Sequence, residues 1–192
     1  MKSFSSINQS EIFSSVFACF SQPDLWGQSF MHEMAREGNL LGAEFLQFKK
    51  LPIDHKDTNG RTPLHEAITS GQLDLVKFFV ENGANLNQRT KNKGYTPLQL
   101  AIVGNQSDIV KYLLDKQALP DKIQHNTGKT ALHIAAETGA IETLGFLIKS
   151  RSDLFAKTST GQTALDLAKK ESQMDIAQIL EKLMQHYEYR LS

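Results

Sequence analysis

One cysteine, Cys19, stands in 192 residues, so no internal disulfide framework can form and the composition suits a reducing compartment. No run of 18 apolar residues occurs, which leaves no candidate for a membrane-spanning helix. Neither sign of charge is in excess. Twenty-one Lys and Arg balance 21 Asp and Glu, so no bulk field draws the chain to nucleic acid or to a membrane surface. Catalytic punctuation is missing too, with neither a Gly-rich phosphate loop nor a Ser elbow. A cleaved secretory leader is not expected. Lys2 precedes an apolar stretch from Ile12 to Phe20, but Glu11 and paired serines dilute it and the basic region is one lysine.

What the sequence does have is a recurring stretch. From Gly60 to Gly71 it places Thr62 as an N-cap whose hydroxyl can accept an orphan amide. Pro63 follows at the first helical position, where its fixed φ suits the helix and its missing N–H is not needed. Leu64, Ala67 and Ile68 then form one apolar stripe on a short helix, and Gly71 supplies the left-handed stop. Gly94-Tyr95-Thr96-Pro97-Leu98, Gly128-Lys129-Thr130-Ala131-Leu132 and Gly161-Gln162-Thr163-Ala164-Leu165 repeat it at steps of 34, 34 and 33 residues.

A period near 33 with Thr-Pro-Leu-His at its head resembles the ankyrin repeat family. The resemblance is strong from Gly60 to about Leu183. It is weaker back to Gly27, where Ser29-Phe30-Met31-His32 and Gly38 keep the phase without the Thr-Pro-Leu. The fold it implies is an all-α ankyrin-repeat solenoid of about five helix-turn-helix units joined by hairpin-like loops, with an N-terminal capping helix. The expected division is 1–26, an amphipathic capping or docking segment, and 27–192, a repeat domain with units starting at 27, 60, 94, 128 and 161. Within the units the patterns predict helices at 30–36 and 40–48, a second helix of unit two holding Leu73 to Val80, then 97–103 with 109–114, 131–137 with 141–148, and 164–170 with 174–184. The tail 185–192 is expected to extend the last helix and fray. No unit buries its stripe alone, so stability comes from nearest-neighbour faces. Five units at helix spacings of about 8–10 Å make a rod on the order of 50 Å.

The departures are specific. Gly83 ends its second helix, but Lys50, Gln117 and Arg151 occupy the equivalent places, where a left-handed residue with a Cβ costs roughly 1–2 kcal/mol. Asn105 and Ser172 replace the inter-helix glycine. Unit five is therefore expected to be the irregular one, and Pro120 to disturb the third link. Links two and three each carry one extra residue.

In residues 1–26, Ile12, Phe13, Val16, Phe17 and Phe20 recur at helical spacing behind Ser10, and Pro23 and Asp24 should end the helix. One reading is a cap over the apolar face of the first unit. The other is a docking helix for a partner; its polar face lacks the lysines and arginines a membrane surface would call for.

His32, His65 and His133 share one phase, with Gln99 and Asp166 in the other units. Copies a repeat apart lie about 8–10 Å from each other and cannot share a zinc ion whose ligands sit at about 2.0–2.1 Å. The expectation is an imidazole bonded to backbone in the next link, with no metal. Cys19 has no base in reach of argument. Asp74, Asp108 and Glu142 read as charges matched to helix N-termini. No catalytic residue and no cofactor is expected.

The resemblance implies partner binding through the link tips and the first-helix face, a concave strip. Mapped here it holds Arg61, Arg89, Lys91, Lys93 and Tyr95, then His125, Asn126 and Lys129. The first-helix ends add Thr69, Ser70, Val103 and Glu137. This strip reads as basic at its middle, with Tyr95 as an aromatic anchor in a polar surround. The expected function is a non-catalytic protein–protein interaction module, monomeric and intracellular, taking an acidic or polar segment of a partner protein. Replacing Tyr95 and Lys93 together should weaken binding without lowering the melting point. The alternative is an adaptor or effector-type protein, in bacteria a host-directed one, whose Phe-rich start recruits a second partner.

Overall fold

The computed structural model describes residues 22–124 and 126–191, and among these it is all helical. The expected helix around residues 10–20 lies outside the described residues. Five helix pairs follow. They are α1 (Phe30–Glu37) with α2 (Leu40–Phe48), α3 (Pro63–Thr69) with α4 (Leu73–Glu81), and α5 (Pro97–Val103) with α6 (Ser107–Asp115). Then come α7 (Ala131–Thr138) with α8 (Ile141–Lys149) and α9 (Ala164–Lys170) with α10 (Met174–Leu191). First helices stack on first helices and second on second, giving two layers that run the length of the array.

Helices of seven or eight residues do not hold in water by propensity alone, so packing must supply their stability. The three middle first helices, α3, α5 and α7, are buried almost all round, and in α3 every residue from Pro63 to Ile68 is buried; α1 and α9 bury three residues each. Ala67, Ala101, Ala135 and Ala168 keep one phase and are wholly buried, and such small side chains let successive first helices approach closely. Second helices bury one stripe, such as Leu75, Val76 and Phe79 in α4, and leave the opposite face to solvent.

The five residues flagged as left-handed positions all have positive φ: Lys50 at 61°, Asn105 at 51°, Gln117 at 65°, Arg151 at 58° and Ser172 at 59°. Unit five is not irregular. Ser172 N–H donates to Lys169 O and Gln173 N–H to Ala168 O, the bonds that Gly71 and Gln72 make to Ile68 and Ala67. The backbone hydrogen bonds hold the turn in spite of the Cβ. The last helix does differ, running 18 residues to Leu191, twice the nine of α8.

Between pairs the chain turns out into hairpin tips. Asp57 N–H donates to Arg61 O at 2.9 Å and Thr158 N–H to Gln162 O at 2.9 Å. In links two and three the closing bonds run from Thr90 to Tyr95 and from Gln124 to Lys129, both 3.0 Å, so the extra residue is absorbed at the tip. Pro120 leaves the third link intact. It sits before the hairpin, where no N–H is required, and its carbonyl accepts from Ala131 N–H at 3.1 Å. Tips also bond to one another: Lys91 N–H donates to Asn59 O at 2.7 Å and Ser159 N–H to Thr127 O at 3.0 Å.

Candidate partner-binding face

Each first helix opens with the same device. The cap residue at Ser29, Thr62, Thr96, Thr130 or Thr163 is extended, and the residue three on reaches back to its N–H. In unit two the Thr62 N–H donates to His65 Nδ1 at 3.1 Å, and His65 Nε2 meets Gln88 O at 3.2 Å. A backbone N–H can only donate and a carbonyl can only accept, so the ring is the neutral Nε2–H tautomer. His32 and His133 repeat the arrangement, their Nε2 atoms 3.1 Å from Arg61 O and Gln162 O. Gln99 does the same work with an amide: its oxygen accepts from Thr96 N–H, and its NH2 donates to Lys122 O and Lys129 O. In the last described unit Asp166 accepts from Thr163 N–H at 2.8 Å, a bond that holds its carboxyl below the usual range. Burial pushes all three histidines down, His65 to about 4. The histidines thus pin three first helices to the link that follows, and Gln99 pins a fourth. Among the described residues no group of three His, Cys, Asp or Glu is placed to hold a metal ion.

On the face that carries the hairpin tips a second recurring pair appears in units one, two and four, between the residue after the unit glycine and the first-helix residue eight positions on. Arg36 donates from its guanidinium to Gln28 Oε1, and Arg61 to Thr69 Oγ1 at 2.8 Å. Lys129 Nζ lies 2.7 and 2.8 Å from the two oxygens of Glu137. Arg61 also pairs through Nε with the buried Glu66 at 3.1 Å, and Arg36 approaches that carboxylate at 3.8 Å. In unit three the two places hold Tyr95 and Val103, an apolar pair among polar ones.

Tyr95 separates two grooves. One, of about 340 Å³, is lined by Asn59, Arg61, Thr90, Asn92, Lys93, Tyr95, Leu100 and Val103. The other, of about 210 Å³, takes in Asn92, Lys93, Tyr95, Asn126, Lys129 and Glu137 with Ile134 among its lining. Lys93 Nζ stands 6.0 Å from the Tyr95 ring centroid, within cation–π range.

The structure therefore gathers Arg61, Lys93, Tyr95, Val103, Asn126, Lys129 and Glu137 around one aromatic ring. Thr69 joins them through its bond to Arg61. Ser70, Arg89 and Lys91 line neither groove, and His125 lies outside the described residues. Two expectations need correction. The strip is less basic than its composition, because Arg61 and Lys129 are held by Glu66 and Glu137. Tyr95 is also half-buried and packs against the core, so truncating it is expected to lower the melting point and not to leave it unchanged. Leu100, Ile134 and Glu66 were absent from the sequence-derived strip. They share one first-helix phase, five residues after Tyr95, Lys129 and Arg61, and that spacing was the available signal.

Among the described residues no helix is long and apolar enough to cross a membrane. A family model described as ankyrin repeats (3 copies) matches residues 31–123 and again 118–189. Delta-latroinsectotoxin-Lt1a of Latrodectus tredecimguttatus is 40% identical over 65 residues, which is 33% of this chain and 5% of the toxin. Human transient receptor potential cation channel subfamily A member 1 is 38% identical over 65 residues, 6% of that channel. Mouse protein phosphatase 1 regulatory subunit 27 is 38% identical over 55 residues, 28% of this chain and 36% of that subunit. The chain thus spans a small part of the length of the curated relatives it matches. With a family match running over most of its length, the chain belongs to the ankyrin repeat family, whose repeats are generally non-catalytic protein–protein interaction modules.

Proposed function

We infer that this protein binds an extended segment of a partner protein across the concave face at Tyr95. The observation that supports this most is the pair of grooves meeting at Tyr95 and Lys93, one floored by Leu100 and Val103 and the other by Ile134. An apolar side chain fits the first groove. Lys93, exposed and with no carboxylate paired to it among the described residues, meets an acidic or polar group beside that side chain. The hairpin tips supply amides such as Asn59, Asn92 and Asn126, which suit a polar main chain. On this reading residues 27–192 act as one array and 1–26 as a capping or docking segment, and the protein works as an intracellular, monomeric binder.

Lys93→Glu combined with Val103→Glu tests it, with a partner captured by affinity pull-down. Both side chains are exposed, and the equivalent of Val103 in unit four is Glu137, so the fold accommodates a carboxylate there. Affinity should fall by about 2 kcal/mol or more, as for a central interface anchor, while the melting point stays unchanged. Undiminished affinity in that variant moves the binding site off the Tyr95 strip.

A further inference from the structure

The second helices share a register, and unit one breaks it. Where α4, α6, α8 and α10 carry Asp74, Asp108, Glu142 and Asp175, α2 carries Leu41. Where α4, α6 and α8 end on Glu81, Asp115 and Lys149, α2 ends on Phe48. Between them lies Phe45, in the register of Phe78, Tyr112 and Phe146. Those three pack against the core, and Tyr112 reaches back to Glu81 of the preceding pair at 3.3 Å. Phe45 is 51% exposed, Leu41 79% and Phe48 78%. At i, i+4 and i+7 they make one apolar stripe on the outer side of the first pair. A surface whose two flanking positions are charged in the other units and apolar here is a surface built to be covered.

The chain is delivered to that place. Asp24 N–H donates to Gln28 O at 2.9 Å, and Asp24 Oδ1 accepts from Trp26 and Gln28 N–H. Asp57 makes the same bonds with Asn59 and Arg61, so residues 24–28 form one more hairpin tip. That tip is tied to the next by the bond from Thr58 N–H to Trp26 O at 3.0 Å. From each second-helix end to its tip, as from Phe48 to Asp57 or from Lys149 to Thr158, the step is nine residues. The same step counted back from Asp24 arrives at Ser15, so the apolar run Ile12 to Phe20 straddles the place that the end of a preceding second helix would take.

We propose that residues 12–20 of this chain lie across Leu41, Phe45 and Phe48 and close the outer face of the first helix pair. Hydrogen exchange of the full chain tests it against Leu41→Asp/Phe48→Glu, a variant given the residue types that sibling units carry in those places. Amides of residues 12–20 are expected to exchange about tenfold or more slower in the wild type than in the variant, with α4 to α10 equally protected in both. Fast exchange of residues 12–20 in both proteins overturns the proposal, and so does protection that survives the double substitution. A dimer in sedimentation that the variant abolishes, with residues 12–20 exchanging fast throughout, overturns it in favour of a second copy on that stripe.

Discussion

His65 carries two structural bonds at once and can do so only as a neutral ring. Its pKa is held at about 4 against 6.5 when free, so between those values the unfolded chain binds more protons than the folded one. Stability is therefore complete above pH 6.5 and declines as the pH falls towards 4. The slope is about 1.4 kcal/mol per pH unit for each histidine kept neutral by the fold. His32 and His133, lowered by burial as well, add to it in the same direction. Gln99 shows that an amide fills the position without titrating. His65→Gln should leave the melting point at pH 7.5 nearly unchanged and flatten its fall between pH 6.5 and 4, as thermal melts across that range will read.

At the scale of one element, the turns that close each second helix hold side chains where the chain runs left-handed. Lys50, Gln117 and Arg151 bear positive φ, while Gly83 does the same turn with nothing within 4 Å of an added Cβ. Replacing any of the three by glycine relieves about 1–2 kcal/mol of local strain. Part of that gain is lost to the greater freedom of glycine in the unfolded chain. Each substitution should raise stability by about 0.5–1 kcal/mol in denaturant titration. This much was legible in the sequence, since period and glycine substitution place the positions before any coordinate is known. The helix bounds were legible for the same reason: α5 and α9 begin and end where cap and stripe predict. The continuation of α10 past Met184 was legible too: the tail was expected to extend the last helix, and it does so to Leu191.

Across the whole molecule the core is a row of interfaces and not a centre. Phe79, wholly buried in α4, belongs to the layer that joins units two and three. Phe79→Ala should cost about 3–5 kcal/mol. Because repeats interact mainly with neighbours, the loss should appear first as faster hydrogen exchange in α3 to α6, with α9 and α10 least affected. Equal loosening of all ten described helices would instead mean a single cooperative unit.

By itself the sequence determined the caps and the left-handed turns, and the period that repeats them. These are local instructions, each written within one turn of chain. The tertiary structure alone decided that Glu66 and Glu137 take the charges of Arg61 and Lys129, and that two grooves open on either side of one tyrosine. Both outcomes depend on distances between side chains from separate turns and separate units, which stacking sets and no local pattern encodes.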